Sequence, residues 1–210
     1  MGEKMGESEA LNIGSIVRFG KYDWRILDVQ DGKALLLSEN VLAIRKYHSE
    51  NTEITWATCD LRQYLNTSFL DDTFTSDEKT RMAETTISTK DNQWFGTPGG
   101  IDTVDKIFLL SLEETVKYFG DSGHLSNRPD YSYQIQGDYD SYRIDDEYNS
   151  SRIAVDKDNG NAQWWWLRSP GCRKNDATYI RLAGLVNMGD VLIDVITYSG
   201  GVRPALWLNL

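Results

Sequence analysis

After a polar lead over residues 1–12, three short apolar runs appear in GSIVRFGKYDWRILDVQDGKALLLSEN. Each is bounded by turn residues, which is the punctuation of β-strands. Gly20-Lys21 separates the first two runs and Asp31-Gly32 the second and third. An Asp-Gly pair between apolar runs is a strong hairpin signal, because both residues tolerate the positive φ of a type I′ turn. The second and third runs carry apolar residues on both faces, so both are expected to be buried. The period then changes. In TWATCDLRQYLNTSFLDDTF, Leu61, Tyr64, Leu65 and Phe69 form one helical stripe, with Thr58 as the expected N-cap. Thr75 with Glu78, and Ser111 with Glu114, have capping-box spacing, in which hydroxyl and carboxylate each satisfy a backbone N–H of the first turn. The second box predicts a helix with Leu112, Val116 and Phe119 inward and Gly120 at its end. KIFLLS, just before it, reads as a strand.

From Asp121 to Ala162 the pattern dissolves into Asp, Ser, Asn and Tyr, including Tyr131, Tyr133, Tyr139, Tyr142 and Tyr148. So long an irregular stretch within a domain reads as an inserted, functional loop. QWWWLRS, ATYIRLA, DVLIDVI and GVRPALWL then read as strands. Period two sends Trp164 and Trp166 to one face of their strand and Trp165 and Leu167 to the other. Trp164, at the strand entrance, is the one left for a ligand. Arg168 is always ionised and so is expected to find a buried hydrogen-bonding partner. Ser169-Pro170-Gly171 ends the strand as a turn. Strands at both ends with helices between them, and no fixed-period repeat, predict an α+β fold. The organisation expected is a flexible tail (1–12) and a single domain (13–210) with a loop insertion at 121–162.

Composition narrows the function. The 210 residues carry a formal net charge of −10 with no basic run, which argues against nucleic acid and anionic membranes as partners. No apolar run reaches the length of a membrane span, and the polar N-terminus has no leader-like core. As given, the chain is expected to be soluble and cytoplasmic, or extracellular if this N-terminus is a truncation. Cys59 and Cys172 have no metal-binding spacing and are expected as free thiols, one long-range disulfide being the alternative. His48 and His124 are too few for a three-histidine site, and each is expected to be an ordinary surface or turn residue. There is no phosphate-binding loop, dinucleotide fingerprint or nucleophile elbow, and Ser169 has no base beside it. DKDNG opens like a calcium loop, but its glycine comes one position early and Leu167 stands where the closing Glu belongs. Asp156, Asp158 and Asn159 remain a candidate for a calcium site of another kind; no other cofactor is expected. Asp138, Asp140, Asp145, Asp146 and Glu147 could supply the carboxylate pair of a hydrolase, which is the alternative function. The loop 121–162 otherwise has the composition of a paratope: Tyr for rigid contact area, Ser, Asn and Gly for adaptable hydrogen bonds.

WWLRSPG, the spaced Gly184 and Gly189, and the terminal GVRPALWL together resemble the signature of an uncharacterised bacterial domain family. WRILDV, LLLS, TWATCDLRQYLN and DKIFLLSLEE agree with it, so the resemblance covers most of residues 13–210. That family is similar to the C-type-lectin-like fold of formylglycine-generating enzymes and of the variable proteins of diversity-generating retroelements. The resemblance implies a twisted antiparallel sheet, two to three helices, long irregular loops, and a closing strand at Gly201, Val202 and Arg203. Formylglycine-generating enzymes need two neighbouring cysteines near the C-terminus, where this chain has only Cys172. The iron-dependent sulfoxide synthases of the same superfamily need three histidines. The retroelement branch, by contrast, places variable ligand contacts just before the closing strand. The resemblance therefore implies a non-catalytic binding module for a glycan, peptide or protein surface, its contacts being Trp164, Arg173, Asn175, Asp176, Tyr179, Asn187, Asp190 and Tyr198. A purely structural interaction domain is the third possibility.

Overall fold

A computed structural model describes residues 12–129, 142–189 and 198–210. The chain begins with strands β1 (Ile16–Phe19), β2 (Tyr22–Gln30), β3 (Lys33–Ser38) and β4 (Ala43–Arg45). Helical turns follow: α1 (Asp60–Tyr64), a π turn (Leu65–Phe69), α2 (Leu70–Thr73) and α3 (Ser76–Arg81). Then come β5 (Thr85–Ile87), β6 (Thr103–Asp105), α4 (Leu112–Phe119), β7 (Arg143–Ile144) and α5 (Asn149–Arg152). The C-terminal third holds β8 (Ala154–Val155), β9 (Ala162–Gln163), β10 (Trp165–Pro170), β11 (Ala177–Ile180), β12 (Val186–Asn187), β13 (Gly200–Val202) and β14 (Ala205–Asn209). The mixture of helices with mainly antiparallel sheets is α+β, as the sequence pattern predicts.

Asp31 and Gly32 form the expected hairpin turn, both with positive φ, at 51° and 68°. β3 is buried along nearly its whole length, and β2 and β14 pair with its two edges. β2, beside the edge strand β1, is buried only in part. The result is two principal sheets, in the orders β1-β2-β3-β14 and β4-β13-β10-β11-β12-β7. The second contains a parallel pair, β10 with β13. The expected DVLIDVI strand lies outside the described residues.

The apolar KIFLLS run is a seam between the sheets and not a strand of either. Phe108 exchanges backbone hydrogen bonds with Ala205 of β14 at 2.9 and 2.7 Å, and the Leu110 carbonyl accepts from Arg168 N of β10 at 2.9 Å. Its residues serve two sheets in turn, so no continuous ladder forms. Both capping boxes form as predicted. The N-cap of α1 is Cys59, whose sulfur accepts from Arg62 N; Thr58 instead closes the preceding 3₁₀ turn with Thr55. Segment 142–162 is more ordered than its composition suggests, carrying β7, α5 and the β8–β9 hairpin.

The tryptophans divide as period two requires. Trp165 lies against Phe119, ring centroids 6.3 Å apart, and its indole N–H donates to the Arg152 carbonyl at 3.1 Å. Trp166, on the other face, meets Tyr47, Trp164 and Tyr179 edge-on at 5.6, 4.8 and 6.1 Å. Trp165, Trp166 and Leu167 are fully buried. This packing needs the two glycines of β13. A Cβ on Gly200 would stand 2.3 Å from the Trp164 ring, and one on Gly201 would stand 2.4 Å from the Trp164 carbonyl oxygen. Backbone cannot yield as a side chain can. Gly201→Ala should therefore destabilise the domain by about 1–3 kcal/mol, the usual cost of overpacking, read as a lower midpoint in urea unfolding.

Candidate ligand-binding face

The polar end of β10 is bound into the scaffold. Arg168 is 4% exposed and grips both oxygens of Glu114, with Nη2 to Oε1 at 3.0 Å. The same carboxylate accepts from Ser111 N, so one glutamate caps α4 and neutralises a buried arginine. Ser169 Oγ accepts the Leu112 amide at 3.0 Å, a second restraint on that helix start. Asn92 Nδ2 donates to the Pro170 carbonyl at 2.8 Å, and Tyr47 Oη to the Arg168 carbonyl at 3.2 Å. Ser169 is thus committed to structure.

The residues expected at the ligand face fall into two groups. Tyr198 is 46% exposed, Arg173 is exposed, and Trp164 and Asn175 are half-buried, Asn175 donating to Asn51 at 2.9 Å. Asp176, just before β11, and Tyr179 and Asn187, on β11 and β12 of the second sheet, are buried. Asp176 holds its own turn together, accepting from Arg173 Nε at 2.8 Å and from the Cys172 thiol at 3.3 Å. Tyr179 packs edge-on against Trp164 at 5.3 Å. Asp190 lies outside the described residues. Of the expected contacts that the structure describes, Arg173 and Tyr198 are therefore the exposed ones.

A recess of about 560 Å³ that no sequence pattern announces runs along β4 and is lined also by Ser199, next to Tyr198 in the chain. Its walls include Arg45, Lys46, His48, Asp60 and Tyr64. The Arg45 guanidinium lies 3.6 Å over the Tyr64 ring, and His48 Nδ1 is 3.2 Å from Asp60 Oδ1. Hydrogen bonds from Ser49 outweigh desolvation and hold the Asp60 carboxyl below its ordinary range. The wall residues come from a three-residue strand, the loop after it and α1, too short and too scattered for any period to reveal. Tertiary pairing of β4 with β13 brings them beside Ser199.

Other candidates for chemistry are engaged elsewhere. Burial alone would raise the Asp146 pKa; the Arg152 and Ser122 hydrogen bonds and the Arg152 charge outweigh it and leave the carboxyl below its ordinary range. Both side chains of the Asp146–Arg152 pair are fully buried, with contacts of 2.8 and 3.1 Å. Asp145 accepts from Asn149 at 2.7 Å and Glu147 is exposed, while Asp138 and Asp140 lie outside the described residues. Both cysteines are free; burial, with Asp176 adding to it at Cys172, pushes each thiol up to about 12, far from thiolate at neutral pH. Asp156 caps its own turn through the amides of Asp158 and Asn159, and Asp158 pairs with Lys157. Among the described residues no three His, Cys, Asp or Glu side chains gather as a metal site, and no helix is long and apolar enough to cross a membrane. His48 borders the recess, while His124 is half-buried and its carbonyl accepts from the Trp94 indole.

A family model for a domain of unknown function, DUF6273, matches residues 31–210. No curated protein and no solved structure matches the chain.

Removing one partner of a buried ion pair strands the other, so Asp146→Asn should cost about 3–5 kcal/mol at pH 7. The depressed Asp146 pKa contributes stability above the unfolded value of about 4, which is lost as pH falls through the lower folded value. Urea midpoints measured from pH 7 to pH 2 should show the gap between wild type and Asp146→Asn closing below about pH 4.

Proposed function

The chain belongs to the DUF6273 family, and we propose that it is a non-catalytic ligand-binding module on a C-type-lectin-like scaffold. Its ligand is a glycan, a peptide or a protein surface. The reading rests chiefly on the recess along β4, where cationic, acidic and aromatic side chains gather around Ser199, next in the chain to the exposed Tyr198. Rigid strands presenting such side chains at a concave edge suit recognition of a polar ligand. The scaffold assignment draws support from the closing segment, in which β13 pairs with β4 and β10 and β14 with β3.

The retroelement form of this reading has a structural corollary. Variation should be tolerated at Asn175 and Tyr198, and costly at Asp176, Tyr179 and Asn187, where side chains are buried, and at Arg173, whose guanidinium pairs with the buried Asp176 carboxylate. A neighbouring reverse transcriptase with a near-copy of the 161–205 coding region differing at adenines is the corresponding genetic expectation. The second reading, a structural interaction domain, draws on the burial of those same three residues.

Glycan and peptide arrays probed with the whole chain, together with a pull-down, test the proposal. Arg45→Ala and Lys46→Ala should each weaken a hit about tenfold, corresponding to ~1.4 kcal/mol, with Lys46→Ala leaving the urea midpoint unchanged. Silent arrays with no captured partner would decide for the structural reading.

A further inference from the structure

Three arginines are buried in the described residues, and they are not treated alike. Arg152 and Arg168 each hold a carboxylate, Asp146 and Glu114. Arg203, 4% exposed in the segment joining β13 to β14, holds none. Its Nε donates to the Ser38 carbonyl at 3.0 Å and its Nη2 to the Glu39 carbonyl at 3.3 Å, while Nη1 has no hydrogen-bond partner. A guanidinium has five N–H groups, so three are left without an acceptor. The Phe119 and Trp165 rings, 5.5 and 5.1 Å from Cζ, supply π faces but no countercharge. The nearby Glu39 carboxylate is committed to Arg25, through Nε at 2.9 Å and through Nη2. Burial pushes the Arg203 pKa down to about 10, which still leaves it charged at neutral pH. The Glu39 charge offsets this in part and the Arg25 charge opposes that offset, so the buried charge is left incompletely compensated, which is costly.

The same side chain lines a cleft of about 480 Å³ between β2, the end of α4 and β8, which shares no lining residue with the recess along β4. Leu27, Phe119, Ile153 and Val155 give it apolar walls, and Asn40 and Glu39 lie at the same opening. We propose that this cleft binds a monocarboxylate with an apolar body, the carboxylate resting on Arg203. A carboxylate supplies two coplanar acceptors to a guanidinium edge, together with the missing negative charge. In a desolvated site that pairing is stronger than in water. The apolar walls then cover the rest of the molecule. Inorganic phosphate has nothing to offer those walls, and its second charge meets the Glu39 carboxylate. This site is independent of the ligand face and stands or falls separately.

Calorimetric titration and thermal melts of the whole chain at pH 7, with hexanoate, hexanamide and inorganic phosphate, test the assignment. Hexanoate should bind and raise Tm, with hexanamide and phosphate at least about tenfold weaker. Glu39→Gln, which removes the competing carboxylate and frees Arg25, should tighten hexanoate severalfold. Ile153→Trp, which fills the cleft from its exposed side, should abolish binding, with the fold checked by circular dichroism. The assignment fails if hexanoate is inert toward both wild type and Glu39→Gln. Equal binding of hexanoate and hexanamide, tighter binding of phosphate, or undiminished binding to Ile153→Trp would each overturn it as well.

Discussion

The Arg168–Glu114 pair is the contact on which the two halves of the molecule turn. It joins the central strand of the larger sheet to the first turn of α4, and the seam 106–111 between them is pinned to β10 and to β14. The glutamate is already fixed by its capping box, so its oxygens are presented to Arg168 with little further loss of freedom. Arg168 also donates to the carbonyls of Leu109 and Ser88, so most of its donors are satisfied and its charge is matched. Such a pair adds modestly to net stability, yet breaking it strands a charge in the core. That asymmetry favours one arrangement of sheet and helix over looser alternatives.

Around this contact the core is built from large rings and small backbones. Trp164 and Trp166 stack toward β13 only because Gly200 and Gly201 present no side chains there. Trp165 fills the space between the β10 face and α4, and its indole N–H finds the Arg152 carbonyl. Arg152, in turn, is held by Asp146, which ties the segment after residue 142 to the same core. The WWWLRSPG stretch is therefore a structural keystone whose polar atoms face inward. In the proposed reading, ligand chemistry is left to other residues: the β4 recess with Tyr198, and the Arg203 cleft.

The contrast among the buried arginines shows how charge separates scaffold from site. Two are neutralised within the chain, and their carboxylates are thereby withdrawn from catalysis; Asp146 is the clearest case, lying among the loop carboxylates that a hydrolase would use. The third, Arg203, has carbonyls and ring faces but, among the described residues, no carboxylate hydrogen-bonded to it. An interior that compensates its charges elsewhere and leaves one open beside a cleft is arranged to receive an anion.

Local chemistry was legible in the chain itself: the Asp31-Gly32 turn, the Thr75–Glu78 and Ser111–Glu114 boxes, the alternation of Trp164, Trp165 and Trp166, and the need of Arg168 for a partner. Each depends on neighbours within a few residues or on a rule that holds wherever a charge is buried. What depended on distant segments was not legible. KIFLLS has the composition of a strand, but pairing with two sheets makes it a seam. Asp176, Tyr179 and Asn187 have the composition of a contact surface, but packing in and beside the second sheet buries them. The recess along β4 and the cleft over Arg203 unite residues far apart in the chain, so no local spacing encodes either. Short-range hydrogen bonding and side-chain alternation were determined by sequence alone; which polar groups reach solvent was decided by the tertiary structure, because exposure is a property of how segments cover one another.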